Sequence, residues 1–249
     1  MILWLRSLLF NGALTVWSAV ILLVVLALLP FPRRVLQAVP RLWMSSLHWL
    51  LRVTVGLTHE VRGLENLPPG PVILASKHQS AWDTTIFYRL VENPAYVLKK
   101  ELLAIPIYGW YLQRTKMISI DREAGPSALR RMLRQAEEEL GRGRPLVIFP
   151  EGTRVAPGER LPYHPGVAAL YSRTGATVVP VAVNSGLFWG RRSFLKRPGT
   201  IVIEMLPPLP RGLDRRGFMA ELERRIEAAT ARLVAEAGDD QISDERKAG

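Results

Sequence analysis

His78 and Asp83 stand five residues apart in Lys77-His78-Gln79-Ser80-Ala81-Trp82-Asp83, directly after the apolar run Val72-Ile73-Leu74-Ala75. A histidine and a carboxylate at this interval can form a general base and its orienting partner. Inside one helix, five steps of about 100° would leave the pair roughly 140° apart around the axis and out of contact. His78 is therefore expected in the turn before a helix, with Asp83 on the first helical turn. There the carboxylate can hold one imidazole nitrogen and leave the other free to take a proton. Ser80-Ala81-Trp82-Asp83 also fits a capping box, in which Ser80 caps the helix and Asp83 bonds back to it. That alternative leaves His78 without a role. The two readings hold together if different oxygens of Asp83 serve each.

Phe149-Pro150-Glu151-Gly152-Thr153-Arg154 follows the apolar run Leu146-Val147-Ile148, which puts it in a loop at the carboxyl end of a strand, where α/β sheets bind ligands. Gly152 lets backbone amides approach an anion, and Arg154 offers a planar fork for phosphate. A plain turn also uses Gly and polar residues, but it needs neither Glu151 nor Arg154 beside Gly152-Thr153. Ile118-Ser119-Ile120-Asp121-Arg122 ends another expected strand and brings Arg122 to the same edge, so two arginines point to an anionic substrate group. Lys99 and Lys100, just upstream, either add charge for a phosphate or form the solvated start of a helix. Val179-Pro180-Val181-Ala182-Val183 reads as a buried strand running into the turn Asn184-Ser185-Gly186, with Pro180 hinting at a special backbone path. The chain has no Gly-x-Ser-x-Gly elbow and no Walker A loop, and Gly141-Arg142-Gly143 lacks the third glycine of a dinucleotide fingerprint. His48, His59, His78 and His164 are too scattered for a metal site, so none is expected.

These loops need a scaffold, and the hydrophobic pattern supplies one. Short apolar runs alternate with longer helical patterns, the signature of an α/β domain with a largely parallel central sheet flanked by helices. Strands are expected near 59–62, 72–76, 95–98, 116–120, 145–149, 177–183 and 200–205. Helices are expected over roughly 81–91, 100–114, 126–141, 165–174 and 215–237. The helix from Pro126 carries Leu129, Met132, Leu133, Ala136 and Leu140 on one stripe and ends at Gly141. The polar tail 238–249 is expected to be frayed.

At 249 residues and 48% hydrophobic content, the chain can bury one sizeable core, and part of its apolar total belongs to an N-terminal membrane anchor. Leu8 to Leu29 carries no charge, and as a helix it reaches about 33 Å, enough to cross the hydrocarbon layer. Pro30-Phe31-Pro32-Arg33-Arg34 follows where a signal peptide would have its small-residue cleavage site. Arg33, Arg34 and Arg41 lie beyond the run and only Arg6 precedes it, a bias that keeps the C-terminal side in the cytoplasm. Leu42 to Leu57, with Trp43, Trp49, His48 and Arg52, reads as a helix lying in the interface. The expected division is thus 1–57 anchor, 58–237 catalytic domain and 238–249 tail, and deletion of 1–57 should release the protein from membranes. The net charge of +11 fits nucleic acid or an anionic lipid surface. The apolar N-terminus favours lipid, with Arg191-Arg192 and Lys196-Arg197 among the basic pairs that would rest on headgroups, and no nucleic acid is expected. Without cysteine there is no disulfide, thiolate metal site or acyl-cysteine intermediate.

Four blocks in order, His78-Gln79-Ser80-Ala81-Trp82-Asp83, Ile120-Asp121-Arg122, Phe149-Pro150-Glu151-Gly152-Thr153-Arg154 and Val179-Pro180-Val181, resemble the glycerophospholipid acyltransferase family over about residues 58–210. The resemblance implies acyl transfer from acyl-CoA or acyl carrier protein to the free hydroxyl of a lysophospholipid such as 1-acylglycerol-3-phosphate, giving phosphatidic acid. The donor is a substrate and no cofactor is implied. It further implies His78 as base and Asp83 as its partner, with Lys100, Arg122, Glu151, Gly152, Thr153 and Arg154 around the acceptor. Lys77 stands where the family usually has Asn. Two alternatives remain at this point: a related enzyme using another acceptor such as a lyso-ornithine lipid, and a membrane-tethered basic binding module without turnover.

Overall fold

The computed structural model describes residues 1–121 and 125–248, with side chains as far as residue 238. Among these residues, one sheet contains β1 (Leu57–Arg62), β2 (Val72–Ser76), β3 (Ala95–Lys99), β4 (Ile118–Ile120), β5 (Leu146–Ile148), β6 (Thr177–Val183) and β7 (Gly199–Met205). Their order is β1-β7-β6-β2-β5-β3-β4. Every neighbouring pair is parallel except β6 and β7, which run antiparallel. The helices are α1 (Ile2–Leu28), α2 (Arg33–Leu36), α3 (Val39–Leu50), α4 (Asp83–Leu90), α5 (Tyr108–Arg114), α6 (Gly125–Gly141), α7 (Gly166–Thr174) and α8 (Arg215–Ala248).

Strand side chains alternate between faces, and here both faces are apolar because both are covered. Val72, Leu74, Val147, Val179 and Val181 point to one side and pack with α1, α3 and α4 through Phe10, Ile21, Leu47, Ile86 and Phe87. Ile73, Ala75, Leu146, Ile148 and Val178 point to the other and meet Met132 and Ala136 of α6, Val167 of α7, and Phe218, Leu222 and Ile226 of α8. The expected stripe on α6 is the face that does this. Pro180 lies just outside the β6–β7 ladder, which pairs Val181 with Met205, so its missing N–H breaks no antiparallel hydrogen bond.

The antiparallel β7 has a consequence for the N-terminal segment. It starts at the edge where β6 ends, and so does its parallel neighbour β1. The π-helical turn Leu51–Val55 and α3 before it are thereby delivered to the carboxyl edge of the parallel strands, with the Gly199 N–H donating to the Gly56 carbonyl at 3.1 Å. Helix α1 is long and apolar enough to cross a membrane, yet it lies along the domain over both halves of its length. Near its start, Asn11 Nδ2 donates to the Phe194 carbonyl at 3.0 Å and Ser7 Oγ accepts from the Lys196 N–H at 2.9 Å. Further on, Trp43 Nε1 of α3 donates to Ser18 Oγ at 3.1 Å. Residues of 1–57 share one hydrophobic cluster with the sheet, so a chain cut at 57 loses core packing together with the apolar helix.

Three expectations differ from the structure. The single helix foreseen over 100–114 is a 3₁₀ turn, Lys100–Ala104, followed by α5. Pro106 disfavours helix at the residue before it, Ile107 adopts φ 65°, and a Cβ on Gly109 would lie 2.1 Å from the Leu103 carbonyl oxygen, so the chain turns there sharply. Lys196, expected on lipid headgroups, is buried, with Nζ 5.0 Å from the centre of the Trp189 ring and donating to the Ser193 and Phe194 carbonyls. The backbone of α8 continues as helix to Ala248 through the stretch expected to fray; the side chains of 239–249 lie outside the described residues.

His48 joins α3 to α4. Thr85 Oγ1 donates to the Trp82 carbonyl, so at 2.8 Å it accepts from His48 Nε2–H. Burial, then the charges of His59 and Arg89, lower the His48 pKa from 6.5 to about 3. The unfolded chain binds this proton near pH 6.5 and the folded chain only near 3, so the stability is complete above 6.5 and drains away as pH falls toward 3. His48→Gln removes that titration. Denaturant titrations at pH 7 and pH 5 should show a smaller acid loss for the variant than for wild type; identical losses would refute the assignment.

Candidate active site

The carboxyl ends of β2, β5 and β6 are adjacent at one sheet edge, and the three loops that leave them build the site. The loop after β2 holds His78, and α4 opens with Asp83. His78 Nδ1 lies 3.0 Å from Asp83 Oδ2, and the same oxygen accepts from the backbone N–H groups of Gln79 at 2.7 Å and Ser80 at 2.8 Å. Oδ1 accepts from the Ser185 hydroxyl, which arrives on the loop after β6. Surrounded by donors, the carboxylate is acceptor only, so Nδ1 carries the proton and Nε2, on the opposite edge of the ring, carries the lone pair.

The capping-box alternative is realised in part and by a different arrangement. Asp83 does bond back to the Ser80 amide, but through the oxygen that also holds His78, so one oxygen serves both. Ser80 Oγ accepts from Trp82 N–H at 3.1 Å and gives no cap to α4. The ring of His78 stacks on Phe149, with centroids 4.0 Å apart and planes at 22°. Its backbone is gripped on both sides: its N–H donates to Glu151 Oε2 at 2.9 Å and its carbonyl accepts from Val155 N–H at 2.8 Å.

Glu151 is therefore turned away from the space in front of His78. Its other oxygen lies 2.6 Å from Lys77 Nζ in a fully buried ion pair. Burial raises its pKa, against the opposing pull of Lys77 and of the His78 amide. Gly152, at φ 65°, uses glycine's freedom to turn the loop back so that Gly152, Thr153 and Arg154 join His78 and Phe149 in the wall of a cavity of about 790 Å³. Lys99, Glu101, Arg191 and Arg192 also stand in its wall, a net basic set. The wall further includes Ile21, Val25, Trp43 and Met44 of the N-terminal helices together with Tyr88 and Tyr111.

Of the expected site residues, His78, Asp83, Gly152, Thr153 and Arg154 converge here. Lys100 does not line the cavity: its Nζ lies 2.6 Å from Asp121 Oδ2, while its neighbour Lys99 does line it. Arg122 lies outside the described residues. Three contributors escape a reading of the sequence. Ser185 stood in a stretch that reads as an ordinary turn, and Arg191 and Arg192 looked like surface charge.

The sequence pattern of the acyltransferase family matches residues 58–184, which contain this whole loop set except Ser185, Arg191 and Arg192. The chain belongs to the acyltransferase family. It is 37% identical over 229 residues to the 1-acyl-sn-glycerol-3-phosphate acyltransferase of Pseudomonas aeruginosa, covering 92% of this chain and 88% of that one. It is 30% identical over 199 residues to the lyso-ornithine lipid O-acyltransferase of the same organism, covering 73% and 74%. The crystal structure of the 1-acyl-sn-glycerophosphate acyltransferase of Thermotoga maritima superposes with a TM-score of 0.70 at 22% identity, over 92% of this chain and 95% of that one. The fold is the same, a mostly parallel sheet between helices with an apolar N-terminal helix.

Within this acyltransferase, the Ser185 hydroxyl is one of four donors to a buried carboxylate. A hydrogen bond to a charged group contributes about 1.5–3 kcal/mol. Ser185→Ala should therefore unfold at lower denaturant concentration while keeping its secondary structure by circular dichroism. Unchanged stability would mean that Asp83 does not rely on this donor.

Proposed function

We propose that the protein transfers an acyl group from a thioester donor, acyl-CoA or acyl carrier protein, to the sn-2 hydroxyl of 1-acylglycerol-3-phosphate, giving phosphatidic acid. The observation that carries this reading is the cavity itself. A histidine with its lone-pair nitrogen set by Asp83 shares one cavity wall with three arginines and with apolar side chains of the N-terminal helices. In the proposed step, Nε2 of His78 takes the proton of the acceptor hydroxyl as that oxygen attacks the thioester carbonyl. The tetrahedral centre collapses with cleavage of the C–S bond, and the imidazolium returns the proton to the departing thiolate. Asp83 holds the tautomer and offsets the charge on the ring. No covalent acyl-enzyme and no cofactor enter the scheme.

Arg154, with Arg191 and Arg192 beside it, would hold the acceptor phosphate by charge-assisted hydrogen bonds. The apolar part of the cavity wall gives an acyl chain room inside the protein. The exposed apolar residues Trp4, Leu5, Leu8 and Leu9 of α1, with Leu42 and Trp49 of α3, support attachment to a membrane surface beside the cavity. The arginines after α1 support a cytoplasmic orientation of that surface. A lyso-ornithine acceptor is the second reading, favoured by the 30% identical relative. It lacks the phosphate that the cluster of three arginines would bind.

The test is transfer from acyl-CoA to 1-acylglycerol-3-phosphate by detergent-purified protein, with the product identified by mass. His78→Ala should lower turnover by about 10²–10⁴-fold. Arg154→Ala should chiefly raise the KM for the phosphate acceptor and leave lyso-ornithine lipid unaffected. Near wild-type turnover in His78→Ala would sink the mechanism, and preference for lyso-ornithine lipid would replace the acceptor.

A further inference from the structure

Behind His78, on the side away from the cavity, lies a buried charged cluster that the proposed reaction does not use. The Lys77 ammonium is 1% exposed and sits between two carboxylates, 2.6 Å from Glu151 Oε1 and 2.7 Å from Glu227 Oε1. Glu227 belongs to α8, far along the chain. The Tyr163 hydroxyl donates to the same Glu227 oxygen at 2.8 Å, and Arg160 Nε reaches its other oxygen at 3.8 Å from solvent. Both Tyr163 and Arg160 come from the loop that begins with Phe149-Pro150-Glu151.

We propose that Lys77 and Glu227 are positioning residues for His78, acting through Glu151. The inference rests on His78 being the base. The path is continuous: Glu227 holds the Lys77 ammonium at 2.7 Å, the ammonium orients Glu151 at 2.6 Å, and Glu151 accepts the backbone N–H of His78 at 2.9 Å. Lys77 is anchored by its own amide, which donates to the Val181 carbonyl of β6 at 2.9 Å, so its side chain and the backbone of His78 move as one unit. Burial of such charges is not an efficient route to stability, since apolar residues of equal volume commonly do as well. What the cluster provides instead is direction: one acceptor for one amide, set by three segments distant in sequence. A side chain of the length of Lys77 is needed to reach Glu227 of α8.

The experiment uses Lys77→Met and the double variant Lys77→Met/Glu227→Gln in the full-length protein. Lys77→Met alone leaves two facing carboxylates without their cation and is at risk of misfolding. The double variant removes one of those charges, so that no two carboxylates face each other, while still depriving Glu151 of its partner. Two quantities are read on the folded protein: kcat and KM for 1-acylglycerol-3-phosphate, and hydrogen-exchange protection of the His78 amide. Misplacement of a catalytic group predicts a kcat lower by about tenfold to a hundredfold, with KM within twofold or so of wild type and faster exchange at His78. Wild-type kcat in the folded double variant would overturn the proposal, and so would unchanged protection of the amide. In the same assay, absence of transfer by wild type would strike the acyl-transfer reading; amide protection then decides the clamp alone.

Discussion

Asp83 is 1% exposed, and a carboxylate buried to that degree has to be met by donors or lose its charge. Four donors meet it here, and they come from two loops. His78, Gln79 and Ser80 belong to the turn after β2, and Ser185 to the turn after β6. Satisfying one anion therefore dictates the path of the chain from Lys77 to Trp82, the tautomer of His78 and the distance between two strand ends. Had the carboxylate been placed a residue later, the two amides of the turn would have no acceptor.

The second constraint is sheet polarity. Parallel strands put all their carboxyl ends on one edge, where loops of different origin meet. The single antiparallel neighbour, β7, starts at that same edge and carries β1 with it. The N-terminal helices consequently finish beside the histidine, and the cavity is shared between a polar wall made by strand loops and an apolar wall made by α1 and α3. An acyltransferase of lipids needs that neighbourhood: a place for a charged headgroup and a place for a hydrocarbon chain on either side of one nucleophilic oxygen.

Polar residues inside the domain follow the same economy of donors and acceptors. Glu139 of α6 receives Arg33 from the segment after α1 and Arg144 from the turn before β5, and Arg144 also donates to the carbonyls of Asn93, Pro94, Thr115 and Lys116. One guanidinium thus gathers loop carbonyls that no strand pairs, at the end of the sheet opposite the site. Burial lowers the pKa of Arg144 while Glu139 pulls against it, which is the balance expected when a cation is held by many acceptors at once.

Periodicity and punctuation in the sequence were enough to determine the strands of a largely parallel sheet, the helices around it and the placement of His78 in a turn with Asp83 opening α4. All of these depend on contacts within a few residues or on the two-residue and 3.6-residue repeats that burial imposes. The break between Ala104 and Tyr108 is marked by Pro106, but the backbone reversal at Ile107 depends on the close approach of Gly109 to Leu103, which the apolar periodicity does not register. Tertiary structure alone decided which way each polar side chain of a loop would point. Glu151 and Arg154 are three residues apart in one motif, yet Glu151 faces inward to Lys77 and α8 while Arg154 lines the cavity. Ser185 became the partner of Asp83, and Arg191 and Arg192 became cavity wall, only when β6 was laid beside β2. Such pairings join residues a hundred positions apart, and they are selected by the cost of leaving a buried polar group without a partner, which no local pattern encodes.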